Sequence, residues 1–306
     1  MKSLTQFLRG HVPELALLLV AFVWGTTFPL SKYVVERMPV FSYMAVRFFI
    51  ASTLLYPIAR RRLAASTIQD FKISALIGLA LFGAFAFSTL GIAYTTASKT
   101  AMVNGLYAVL TPFFYFFLYR APVKRSAVAA SFLAFAGVAL LGADFSAGFD
   151  WDFGVTLVLI STVFTALQIV GVGRFAVLID PLVLTFYQMA VSGVFCLLIA
   201  VFTETWPASV SPGVWAAIVF MALVATVLGY FIQCRVQRYI NHTVSAVIIS
   251  MESVFGAMLS WMFLDEKMTA LMIIGCLLLV GAMLIAQIDP AGDPDRPRRK
   301  SDGGAG

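Results

Sequence analysis

Two side chains in this sequence fall where a charge is costly. Glu252 lies about halfway along an apolar stretch, and Arg47 lies about six residues inside another. An ionised carboxylate at the centre of a hydrocarbon layer costs at least ~2.5 kcal/mol, so Glu252 must be paired, hydrated or protonated. Two roles meet that requirement. Glu252 is either a group that responds to protons or to a bound solute, or a fixed partner of basic residues or hydroxyls that holds its helix in place. For Arg47 the expected arrangement is structural, with its long stem snorkelling to the interface. The alternative is a guanidinium turned inward as a charge partner for an anionic group.

Uncharged polar residues add stripes at helical spacing. Thr100, Asn104, Tyr107 and Thr111 recur at intervals of three or four and so share one face. Thr226, Tyr230, Gln233 and Gln237 form a second stripe, Ser161, Thr165 and Gln168 a third, and Ser245 and Glu252 lie together on one further stretch. Singly, such residues are ordinary interhelical glue. As a set facing inward they outline a cavity. Trp24, Tyr107 and Tyr230 each carry a polar tip that needs a partner or water away from the interface, and they suit the lining of a site for a partly apolar solute. The candidate lining is therefore Trp24, Asn104, Tyr107, Thr111, Gln168, Tyr230, Gln233, Ser245 and Glu252. Gly25, Pro29 and Pro112 are candidate hinges, since a helical proline removes a backbone hydrogen bond and clashes with the preceding turn.

The elements that must position these residues follow from composition. The 306 residues are 61% hydrophobic and 12% charged, against roughly 25% charged in soluble proteins. The apolar residues come in runs of about twenty, the length that crosses a hydrocarbon core about 30 Å thick. Within lipid such runs must be helical to satisfy their peptide groups. The expected spans are 13–35, 41–60, 71–93, 96–118 and 126–143, then 153–174, 181–203, 213–234, 242–264 and 269–288. The first run continues past Trp24 and Gly25 with no small-x-small cleavage site, which reads as a helix and not as a cleaved signal peptide.

The net charge of +6 is organised by topology and does not indicate a nucleic-acid partner. Numbering the helix ends alternately puts most of the 21 Lys and Arg on one side, including Arg60 to Arg62, Arg120, Lys124, Arg125, Arg174, Arg235 and Arg238. Lys32, Arg37, Lys99 and Lys267 lie on the other. The positive-inside rule then makes both termini cytoplasmic and the number of crossings even. The acidic segment from Asp144 to Asp152 faces outside, and the basic tail from Arg296 to Lys300 is expected to be disordered and held near anionic lipid.

Sliding the chain along itself reveals a weak correspondence at an offset of about 141 to 142 residues. Met38-Pro39 lies over Asp180-Pro181, Lys32 over Arg174, Asn104 over Ser245 and Thr111 over Glu252. Repeats with an odd number of crossings each must be inserted in opposite orientations, an architecture in which solute sites lie near the midplane between halves. The expected organisation is an all-α membrane protein of ten transmembrane helices in two inverted five-helix repeats. Residues 1–12 form the N-terminal segment, 13–143 the first repeat, 153–288 the second and 289–306 the tail. Helices 5 and 10 carry Gly137, Gly142, Gly275 and Gly281, which permit close contact within one chain or across a homodimer.

Motifs of catalysis and metal binding are missing from the sequence. There is no HExxH, no phosphate loop, and neither His11 nor His242 belongs to a ligand cluster. Cys196, Cys234 and Cys276 show no metal spacing and no disulfide framework and read as packing residues. Asn241-His242-Thr243 spells a glycosylation sequon on the cytoplasmic side, where it has no use. The expectation is a non-enzyme without cofactor or metal, whose partners are a small-molecule solute and the bilayer.

Several segments resemble the ten-helix, EamA-type branch of the drug/metabolite transporter superfamily. They are WGTTFPLSK at 24–32, VRFFIAS at 46–52, LTPFFYFFL at 110–118 and SAVIISMESVFGAMLSWMFLDE at 245–266, in that order. The resemblance implies an inner-membrane carrier, often an exporter of amino acids or other metabolites, with a central cavity lined by helices 1, 3, 4, 6, 8 and 9. One departure is that Glu252 is followed by Ser253 where the family commonly has proline, which argues against a proline kink in helix 9. The leading expectation is a secondary transporter working by alternating access in a bacterial-type inner membrane, with Glu252 available for proton coupling. The alternative is a membrane sensor or assembly scaffold that moves no solute.

Overall fold

The computed structural model describes residues 12–120, 125–142, 153–240, 242–264 and 270–287. The N-terminal segment before residue 12, the acidic loop at 144–152, Asn241 of the sequon and the basic tail lie outside the described residues. Helices form everything else of length: α1 Val12–Val35, α2 Val40–Ala64, α3 Ile68–Tyr94, α4 Ala97–Tyr119, α5 Arg125–Gly142, α6 Phe153–Phe175, α7 Pro181–Thr203, α8 Pro212–Val236, α9 His242–Leu264 and α10 Ala270–Gln287. Eight of them are long and apolar enough to cross a membrane, whereas α5 and α10 are 18-residue helices with shorter apolar runs.

Local chemistry sets the helix starts. Thr67 and Asp70 form a reciprocal capping box at α3. The hydroxyl of Thr96 accepts from the Lys99 amide at the start of α4, and Asp180 and Ser211 cap α7 and α8 ahead of Pro181 and Pro212. The Lys32 ammonium donates to the carbonyls of Ile92 and Thr95 at the end of α3. That is the favourable place for a cation on a helix, and it gives Lys32 a structural task beyond interfacial anchoring.

Three helices are interrupted. In α4 the segments Ala97–Asn104 and Tyr107–Tyr119 are separated by Gly105 and Leu106. There the backbone tightens, with Leu106 N donating to Val103 O and Ala108 N to Gly105 O. The break thus precedes Pro112, the expected hinge. Pro112 itself leaves the Ala108 carbonyl without its helical donor, and the Ser131 hydroxyl of α5 supplies one at 3.1 Å. In α9, Ser250 separates His242–Ile249 from Met251–Leu264, so this helix breaks without the proline. In α8, Met221–Leu228 is wound as a π-helix. By contrast α1 runs unbroken through Gly25 and Pro29.

The helices pack in pairs drawn from opposite halves of the chain: α3 along α6, α5 along α10, α2 along α7, and α1 along α9. Glycine permits the closest of these contacts. A β-carbon on Gly154 of α6 would sit 2.7 Å from the Gly91 carbonyl of α3, and one on Gly137 of α5 would sit 2.8 Å from the Gly275 carbonyl of α10. The small-residue face of helices 5 and 10 is thus used within one chain. The α2·α7 pair is tied at both ends. At one end the Glu204 carboxylate accepts from the Phe41 amide at 2.8 Å and from the Ser42 amide and hydroxyl at 2.7 and 2.8 Å. At the other, Arg62 pairs with Asp180. Large apolar side chains such as Phe116, Phe117, Phe202 and Phe263 face outward, as a lipid-facing surface requires.

Candidate functional site

The tightened turn of α4 and the break in α9 meet inside the bundle. Asn104 ends the first segment of α4, and its Nδ2 donates to Oε1 of Glu252 at 3.0 Å. Its Oδ1 accepts from the Ser161 hydroxyl of α6 at 3.3 Å. Glu252 stands in the first turn of the half-helix Met251–Leu264, where the helix dipole favours a negative charge. One residue on, the Ser253 hydroxyl donates to the Ala101 carbonyl at 2.7 Å. The same carbonyl receives only a long 3.4 Å bond from Gly105, so Ser253 completes the end of the broken α4 segment. Two side-chain bonds therefore clasp the interrupted helices together. The phenol of Tyr107, at the start of the second α4 segment, lies beside the Glu252 carboxylate.

Across the interior, Arg47 of α2 is 3% exposed. Its Nε donates to the Thr226 hydroxyl at 2.7 Å, its Nη1 donates to the Tyr43 phenol at 3.1 Å, and its guanidinium carbon lies 4.9 Å from the centre of the Phe85 ring. The expected snorkelling does not occur. A residue this close to the helix start can reach either the interface or the interior, and the Thr226 hydroxyl and the Tyr43 phenol hold it inward. Thr226 belongs to the π-helical segment and itself donates to the Met221 carbonyl five residues back. The preceding carbonyl, Ala225, accepts the indole N–H of Trp24 at 2.8 Å. Trp24 in turn lies against Tyr230, with ring centres 4.8 Å apart.

Between these groups is a cavity of about 90 Å³, where one water needs on the order of 10–15 Å³. Its lining includes Trp24, Asn104, Tyr107, Gln168, Tyr230, Gln233 and Glu252 from the expected set, together with Arg47. Thr111 and Ser245 do not line it. Both are fully buried, and the Thr111 hydroxyl donates to the Tyr107 carbonyl of its own helix. The turn at Gly105–Leu106 changes the facing of α4 after Asn104, so one continuous stripe in sequence is divided in space. The offset makes Thr111 the counterpart of Glu252 in the other half, and the residue that bonds to Glu252 is Asn104.

Residues outside the expected set also line the cavity. Thr27 and Ser31 lie beyond Trp24 along α1, and Phe85, Ser88 and Thr89 come from α3. The run Trp24, Thr27, Ser31 at helical spacing was the signal available for the first two. Gln168 and Gln233 are coupled face to face, each Nε2 donating to the other's Oε1 at 3.2 Å, and Gln168 also donates to Gln188 of α7 at 3.0 Å. Arg47 and Gln188, similarly placed in the two halves, thus part ways: one lines the cavity and the other ties α7 to α6.

A multi-pass helical bundle around a polar cavity is the build of a membrane carrier, and comparison with known proteins agrees. The EamA-like transporter family matches the chain twice, over residues 12–143 and 152–287. A protein described as an uncharacterized transporter from Archaeoglobus fulgidus is 30% identical over 275 residues, covering 90% of this chain and 85% of its own. The uncharacterized transporter YyaM of Bacillus subtilis is 31% identical over 218 residues, 67% of this chain and 71% of its own. A solved crystal structure superposes with a TM-score of 0.71 over 89% of this chain and 95% of that one, at 19% identity, a likeness of fold. The chain belongs to the EamA-like transporter family.

Proposed function

We propose that this protein is a secondary transporter that exports a small metabolite, such as an amino acid or a related solute, across a bacterial-type inner membrane by alternating access. The observation that carries the reading is the cavity at the broken helices. It joins a carboxylate, a guanidinium and an aromatic pair in one lining, a combination with little purpose in a bundle that only holds itself together. Discontinuous helices around a central site are the recurrent device of such carriers. The export direction rests on the resemblance of the chain to amino-acid and metabolite exporters.

The reading takes α5 and α10 as the fifth and tenth crossings, since 18 helical residues extend ~27 Å. The two matched halves are then five-helix repeats in opposite orientations, with both termini cytoplasmic. On this topology Ser31, Ser88 and Thr89 lie toward the outer side of the cavity, while the buried Ile169 and Ile249 lie toward the inner side. Glu252 serves as the proton-coupling group, exchanging its hydrogen bond to Asn104 during the cycle. The test is solute flux in proteoliposomes across amino acids and drug-like cations under imposed pH gradients. Flux that responds to the gradient supports the reading, and absence of flux for every solute under every gradient overturns it.

A further inference from the structure

Arg47 is half of an ion pair whose other half is missing among the described residues. A guanidinium does not give up its proton, so this side chain is a permanent cation at 3% exposure. Among the described residues its polar and ring contacts are to neutral groups: the Thr226 hydroxyl, the Tyr43 phenol, the Met221 thioether at 3.9 Å and the Phe85 ring. The ion pairs found among the described residues are Arg37 with Glu36 and Arg62 with Asp180, both remote from the cavity lining. Glu252 lines the same cavity but lies beyond ion-pair distance of Arg47 and is held by Asn104. Neutral acceptors orient a guanidinium without neutralising it, and the contacts at Nε and Nη1 fix the plane of the group while Nη2 keeps its donors for a carboxylate.

We infer that Arg47, held by Tyr43 and the π-helical Thr226, is the subsite for a carboxylate of the transported solute, whose apolar part lies along Phe85, Trp24 and Tyr230. The inference rests on the reading of the cavity as a solute site and narrows it: the solute carries an anionic group. A purely cationic or neutral solute leaves the buried cation unanswered. The site has no second basic residue among its lining, which favours a singly charged carboxylate over a phosphate.

The experiment uses the purified full-length protein in nanodiscs, with thermal unfolding and intrinsic fluorescence as readouts of binding. The probes are the common amino acids, their amides and their decarboxylated amines, with chloride and inorganic phosphate as separate arms. Stabilisation by one or more carboxylates, lost in the matching amide and amine, is the expected result. In Arg47→Gln the affinity for those carboxylates falls by roughly tenfold or more. Arg47→Lys, which keeps the charge and loses the fork, lies between, and guards against a glutamine variant that fails to fold. A panel in which no carboxylate binds better than its own amide overturns the inference, as does a response to chloride or phosphate equal to that of the best carboxylate. Flux measurements on the same compounds separate the two levels. Transport of amines or amides with no preference for carboxylates sinks the Arg47 subsite and leaves the transporter standing, whereas carboxylate binding that depends on Arg47 without flux does the reverse.

Discussion

Glu252 and Asn104 bind one another at the point where two interrupted helices cross, so neither can be altered alone without exposing the other's need for a partner. Hydrogen bonds to charged groups contribute about 1.5–3 kcal/mol. Asn104→Ala is therefore expected to lower the transport rate by about tenfold or more while the protein remains folded, measured by flux in proteoliposomes and by monodispersity on gel filtration. Glu252→Gln keeps the shape of the side chain and removes its capacity to exchange a proton. Its expected effect is a rate that no longer varies across a pH series, and a Glu252→Gln protein with the native pH profile would exclude proton coupling through this residue. At this scale the sequence was a good guide to residue type and a poor one to placement. It marked Glu252, Asn104 and Trp24 because a polar group in an apolar run has few uses. It set Thr111 and Ser245 on the lining, from which the cavity leaves them out, because helical spacing assumes an unbroken helix, and it favoured the interface for Arg47 because nothing in its own segment announces Thr226, although Tyr43 lies one turn before it.

The interruptions of α4 and α9 are events at the scale of the element, and they are stabilised from outside their own helices. Pro112 frees the Ala108 carbonyl and Ser131 on α5 occupies it. Ser131→Ala leaves that buried acceptor unsatisfied, at a cost of about 1–3 kcal/mol. The double variant Ser131→Ala with Pro112→Ala regains a backbone donor, so it is expected to unfold at a higher temperature than Ser131→Ala alone, a comparison that thermal melting in detergent can make. A double variant no more stable than the single one would show that the hydroxyl does not stand in for the backbone donor. Ser253→Ala is expected to cost less, about 1 kcal/mol, because the Ala101 carbonyl retains the long bond from Gly105. The sequence located both helices within a residue or two, since the hydropathy of a lipid-crossing run is a strong and local signal. It could not locate their breaks. Pro112 lies beyond the break of α4 at Gly105–Leu106, and the missing proline after Glu252 spoke only against a proline kink in α9, which breaks at Ser250. Bonds between segments far apart in the chain decide where such helices open.

Over the whole molecule, the pairing of helices from opposite halves determines what can move. The α3·α6 contact brings backbone against backbone at Gly91 and Gly154. A methyl there must displace a carbonyl and not a flexible side chain, and overpacking of this kind costs about 1–3 kcal/mol. Gly154→Ala is expected to lower the melting temperature and the yield of folded protein, whereas Gly281→Ala, whose nearest neighbour is Leu133 at 3.5 Å, is expected to be neutral. Unchanged stability in Gly154→Ala would show that the two helices are less tightly seated than the structure describes. The α2·α7 pair, tied by Glu204 at one end and Arg62 at the other, carries Arg47 along with it, so any motion of that pair relative to α8 changes the hold of Thr226 on the guanidinium. The eight long apolar helices were legible in the sequence because lipid permits few solutions. Which helix lies beside which was not, since helices with apolar outer faces look alike one at a time.

The tryptophan at the cavity has a practical corollary. Among the described residues, Trp24 lines the interior against Tyr230, while Trp206, Trp215 and Trp261 lie exposed on the periphery. The molecule thus contains its own optical reporter. Indole emission shifts with local polarity, so arrival of a ligand beside Trp24 should register as a spectral change against a steady background from the outer indoles. Replacing Trp24 with phenylalanine should silence that change and leave the background intact. Label-free titrations could then follow occupancy of the site in the unmodified protein.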